Sequence, residues 1–138
     1  MDVYNGTYTD TVGREQGYPA DYLQRNFDTT EAQRSVFEKA SASGVASVSG
    51  TDAGGLRHDM GGWQVVIMVE RGMTPMDAMR SAMSVAALHM DWEDKVGAVR
   101  PGLYGDLIAV RGNPLQDQAV MKNVAVVIKG GLVFKAPE

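Results

Sequence analysis

The chain has 138 residues, 44% of them hydrophobic and 22% charged, with a formal net charge of −4 and no cysteine. This is the size and balance of one ordinary globular domain, able to bury about two-thirds of its unfolded surface. Disulfides and thiolate metal sites are excluded, and no basic run recommends nucleic acid or an anionic membrane as partner.

The longest apolar runs, Val65–Val69 and Val124–Ile128, are far too short to cross a bilayer. The opening "MDVYNGTYTD" has neither a basic n-region nor an apolar h-region, so no signal peptide is read there and the compartment stays open.

Val3–Tyr8, with two tyrosines and a valine, is read as a strand. Residues 9–27 carry Gly13, Gly17 and Pro19 without periodicity and are read as a long loop, of the kind that often forms a lid. Tyr4, Tyr8, Tyr18 and Tyr22 cluster around it, either lining a pocket or packing the loop on itself. Asp28-Thr29-Thr30-Glu31 has the form of a capping box. It would open a helix with Ala32, Val36, Phe37 and Ala40 on one face, closing near Gly44.

A β-branched run, Val45–Ser49, is read as a buried strand that opens into the loop Gly50-Thr51-Asp52-Ala53-Gly54-Gly55. A helix follows near Trp63–Arg71 and stops at Gly72. Thr74-Pro75-Met76-Asp77 then restarts the chain, with Thr as N-cap, Pro at the first helical position and an acid in the first turn. Met76, Met79, Met83, Ala86, Ala87 and Met90 recur at helical spacing and are assigned to core packing. After His89 the texture changes to short apolar runs punctuated by glycine and proline, such as Asp106–Val110. Val124–Lys129 and Leu132–Lys135 around Gly130-Gly131 predict a hairpin whose turn needs positive φ at both glycines. The first two-thirds thus alternates helix and strand, and the last third is antiparallel β.

Among chemistry-bearing residues, Asp52 stands where a strand would end, the position at which barrel enzymes build their sites. A carboxylate there can ligate a hard metal and take a proton from metal-bound water. An Asx-turn explains the same residue without any catalysis. His58, six residues on between Arg57 and Asp59, is either a substrate contact or a solvated loop histidine. His89 at the end of the methionine-rich helix is accounted for by the helix dipole and is not taken as a ligand. There is no HExxH, HxH, CxxC, G-x-S-x-G, P-loop or dinucleotide fingerprint.

The order of several stretches adds what spacing does not. "GTDAG" (Gly50–Gly54), a histidine soon after, "RGMTPMDAMRSAMSVAA" (Arg71–Ala87), "VGAVRPGLYGDLIAVRGNPLQD" (Val96–Asp117) and "VAVVIKGGLVFK" (Val124–Lys135) follow in succession. This series resembles the C-terminal end of a metal-dependent amidohydrolase. The branch is that of prolidase-like and imidazolonepropionase-like enzymes, and it is similar to carboxypeptidases and ochratoxin-hydrolysing members.

The resemblance implies the last two strands and flanking helices of a (β/α)8 TIM barrel over residues 1–92. Residues 93–138 would be the C-terminal share of a small β-sandwich. Val3–Tyr8 would be barrel strand seven and Val45–Ser49 strand eight. Asp52 would be metal ligand and proton shuttle, and His58 a substrate contact.

The cofactor implied is zinc, as a binuclear centre in the intact enzyme. The implied substrate is a small amide or dipeptide, and a homo-oligomer is expected. The family's HxH, bridging lysine and further histidines have no counterpart here, so the missing N-terminal part of the barrel is an implied partner and the chain alone is expected to be inactive. Met83 replaces a usual threonine and Gly105 a usual alanine, the latter change expected to be neutral. The rival expectation is a non-catalytic assembly or binding module on the same scaffold. A third is a cyclic-amide hydrolase or deaminase.

Overall fold

The structure, a computed structural model, describes residues 12–51 and 58–137. Helix α1 spans Ala20–Ala42, α2 Gly61–Glu70, α3 Pro75–Ser81 and α4 Ser84–His89; the strands are β1 Leu107–Val110, β2 Val124–Lys129 and β3 Leu132–Lys135. Two short 3₁₀ turns, His58–Met60 and Gln118–Lys122, lie among them. The mixed α/β class read from the sequence is what the structure has. The strand expected at Val3–Tyr8 lies outside the described residues.

Helix α1 begins well before the capping box and takes up the second half of the expected loop. Pro19 flanks its start in an extended conformation and Asp21 sits in the first turn. No glycine or proline interrupts residues 20–42. Asp28 is therefore in the helix interior, where its carboxylate accepts from Gln24 Nε2 at 2.8 Å. Thr29 and Thr30 donate their hydroxyls back to the carbonyls of Arg25 and Asn26, both at 2.8 Å. The residues that would cap a helix can thus also be absorbed by its preceding turn. The helix closes before Gly44 (φ +73°), as expected. Tyr18 and Tyr22 do pack edge to face, with ring centroids 5.6 Å apart.

Residues 45–50 form no strand. A strand exists by virtue of its ladder, and among the described residues no other strand lies beside this segment. Val45 and Val48 are exposed, contrary to the buried strand expected.

The core is built on α2. Val65, Val66 and Met68 are buried with Met73, Ala78 and Met121, and Phe37, Val69, Met79 and Val110 pack around them. The turn at Gln118–Lys122 lies directly on this helix. A Cβ on Gly62 would stand 2.0 Å from the Met121 carbonyl oxygen, so only glycine admits the approach. Lys122 Nζ sits 4.1 Å from the centroid of the Trp63 ring, a cation–π contact that closes the rim.

Helix α3 opens as the sequence predicts: Asp77 N–H donates to Thr74 Oγ1 at 3.2 Å, and that hydroxyl donates to Asp77 Oδ2 at 2.6 Å. The single helix expected to run on to Met90 is instead broken at Ala82–Met83. Ala82 and Met83 bond back three residues, to Met79 and Arg80, tightening the end of α3. Gly97 (φ +94°) seats against the break, where a Cβ would meet Ala87 Cβ at 2.6 Å and the Met83 carbonyl oxygen at 3.0 Å. The break also corrects the methionine stripe. Met79 and Ala87 face inward, but Met76, Met83 and Met90 are exposed.

The last third is antiparallel as expected, in the order β1-β2-β3, and the hairpin turn has φ +58° at Gly130 and +78° at Gly131. Asp106 clasps it to β1: its Oδ1 accepts from Gly130 N–H at 2.7 Å and its Oδ2 pairs with Lys129 Nζ. The Gly105 carbonyl accepts from Gly131 N–H at 3.0 Å. A Cβ on Gly105 would meet Gly131 N at 3.0 Å, so alanine there requires the hairpin turn to shift by a few tenths of an ångström.

Two outcomes follow from this packing. Gly62→Ala is expected to lower stability by about 1–3 kcal/mol through overpacking against backbone that cannot yield. Gly61→Ala, whose Cβ meets open space, should be near neutral, and chemical denaturation of both variants checks the contrast.

The Lys129 ammonium and then the Gly130 amide hold the Asp106 carboxyl below its ordinary value of 3.8. The clasp's contribution is therefore present above that value and lost as the pH falls through the lower folded-state value. Asp106→Asn should remove this acid-range dependence from thermal melts recorded across pH.

Candidate functional site

Asp52 lies outside the described residues, so the site is approached from its two flanks. On one side, residues 45–51 leave α1, and Ser49 N–H donates to the Ser81 carbonyl at 3.1 Å. Ser81 is buried at the end of α3, its hydroxyl donating to the Ala78 carbonyl at 2.7 Å and lying 3.6 Å from Met68 Sδ. On the other side the chain re-enters at the turn His58–Met60, which runs directly into α2.

His58 is exposed on that turn. His89, in the last turn of α4, has its Nδ1 2.8 Å from the Val85 carbonyl, which agrees with the structural account of that residue. These are the chain's two histidines. Among the described residues no group of three or more histidines, aspartates or glutamates is placed to hold a metal ion.

A groove of about 190 Å³ lies between α1 and α2, floored by Phe37, Ile67 and Met68 and edged by Gln33, Arg34 and Arg71. Neither His58 nor His89 lines it. The contact that sequence reasoning missed is Ser49–Ser81. A backbone bond leaves no mark in residue type, and Ser81 inside an expected helix gave no signal.

Residues 15–133 match the amidohydrolase family. The chain belongs to that family. It is 36% identical to the ochratoxinase of Aspergillus niger over 110 residues, which are 74% of this chain and 22% of that enzyme. Of solved structures, a Xaa-Pro dipeptidase with methionine bound in its active site superposes with a TM-score of 0.82 at 35% identity, over 97% of this chain and 33% of that one. The crystal structure of A. niger ochratoxinase superposes at 0.69 and 29% identity, over 91% of this chain and 30% of that one. The chain therefore spans about a fifth of the curated relatives it matches and about a third of these solved chains.

The family is generally metal-dependent, and a catalytic zinc takes about three protein ligands. The described residues do not make such a set. The purified chain, dialysed exhaustively against metal-free buffer, is accordingly expected to retain negligible zinc by elemental analysis. Stoichiometric zinc would require a donor set that reaches beyond the described residues.

Proposed function

We propose that this chain is the C-terminal portion of a metal-dependent hydrolase of amide or peptide C–N bonds, acting on a dipeptide, an N-acyl amino acid or an ochratoxin-like amide. The observation that carries the reading is the superposition of 97% of the chain on one third of a Xaa-Pro dipeptidase at 35% identity. The sequence likeness to ochratoxinase supports the same bond class on a different molecule.

In this reading residues 1–92 close a (β/α)8 barrel and residues 93–138 belong to a small sandwich. The remaining ligands, for zinc, come from the N-terminal part of the barrel, and the assembled enzyme is a homo-oligomer. The chain alone is inactive.

Asp52 is the residue we assign to the chemistry. It directly follows Thr51 at the end of the segment that leaves α1. A carboxylate there serves as one ligand and holds a proton on its way to the departing amide nitrogen. His58 lies on the turn that re-enters the fold, exposed and able to meet a substrate at the mouth of the site.

The experiment is Asp52→Asn in the full-length enzyme. The fold should persist while kcat falls by roughly 10²–10⁴-fold, the range a positioned acid–base group contributes. Near-normal kcat would remove Asp52 from the chemistry. A full-length protein that folds, with Asp52 intact, and turns over no amide would favour the assembly or binding module instead. Turnover of cyclic amides alone would place the enzyme among ring-opening members.

A further inference from the structure

The sequence carries nine methionines, all but Met1 among the described residues. The structure sorts them by access to water. Met68, Met73 and Met121 are buried, at 3%, 8% and 6% exposure, whereas Met76, Met83 and Met90 are 42%, 41% and 57% exposed. Met60 and Met79 lie between these extremes.

A thioether is oxidised only by a reagent that reaches its sulfur, and the product is a polar sulfoxide. With a hydroperoxide, a sulfur lone pair attacks the outer oxygen, the O–O bond breaks, and the proton passes to the departing alkoxide or hydroxide. Sulfur loses two electrons and the peroxide gains them, leaving one sulfoxide and one alcohol or water.

The two groups differ in what that oxygen does to the fold. Met68, Met73 and Met121 belong to the core cluster. The Sδ of Met68 lies 3.6 Å from the Ser81 hydroxyl, whose proton is already donated to the Ala78 carbonyl at 2.7 Å. An oxygen added to Met68 would find no donor in that hydroxyl, and a buried polar atom without one is destabilising. Met76, Met83 and Met90 stand outside the cluster and at helix ends. Met76 is in the first turn of α3, Met83 is the N-cap of α4 and Met90 its C-cap. A sulfoxide oxygen there meets water.

We propose that Met76, Met83 and Met90 are a surface modification site, oxidised by small hydroperoxides without loss of the fold, and that they spare the core methionines by consuming the oxidant first. The modification is reversible: a sulfoxide reductase returns the oxygen as water and oxidises two thiols to a disulfide.

The test treats the full-length enzyme with limiting hydrogen peroxide, following each methionine by peptide mass spectrometry and the fold by thermal melting. Met76, Met83 and Met90 should become sulfoxides at least about tenfold faster than Met68, Met73 and Met121, with Tm unchanged. The combined variant Met76→Leu, Met83→Leu and Met90→Leu should melt like the parent before treatment. Under the same peroxide its core methionines should be oxidised to a greater extent, and its Tm should fall. Neither readout involves amide turnover, so the outcome is separate from that of the hydrolase reading. Equal rates at exposed and buried sulfurs would overturn the proposal, as would a Tm that falls with oxidation of the exposed three or unchanged core oxidation in the variant. Should the variant fail to fold, the order of rates and the Tm of the parent decide the matter.

Discussion

The approach of Gly62 to the Met121 carbonyl brings two distant parts of the chain into backbone contact. Helix α2 is apolar nearly all round, so it needs cover on several sides. Helix α3 supplies one side through Ala78, α1 another through Phe37, and the turn at Gln118–Lys122 a third through Met121. Because Val110 of β1 packs into the same cluster, the three-stranded sheet is fastened to the helical half through one shared core. A side chain at position 62 would hold the turn away, and Met121 and Val110 would lose their seat together.

What the sequence made legible were the features carried by local chemistry. The N-cap at Thr74, the stops at Gly44 and Gly72 and the Gly130-Gly131 hairpin are each decided within a few residues, and each is present. The expectations that failed depended on competition or on distant partners. Asp28 had a capping signature, yet the preceding turn of α1 could use its carboxylate and the threonine hydroxyls equally well. Val45–Ser49 has strand composition, but a ladder is a property of neighbours. The helix from Thr74 to Met90 reads as continuous, and Gly97, outside it, packs against its break.

The candidate site divides along the same line. Motif order led to the amidohydrolase family, and the match over residues 15–133 agrees. The backbone bond between Ser49 and Ser81 was invisible, because any residue but proline supplies that N–H. The structure ties His89 to its own helix and leaves His58 exposed.

Strand β3 gives the chain a colloidal character. Leu132, Val133 and Phe134 are each more than 60% exposed on a strand that ends the described sheet. An edge of that composition templates pairing with another chain unless something covers it. A net charge of −4 over 138 residues supplies only modest mutual repulsion. Left uncovered, such an edge would make association between copies sensitive to concentration and to ionic strength, since added salt screens their mutual repulsion.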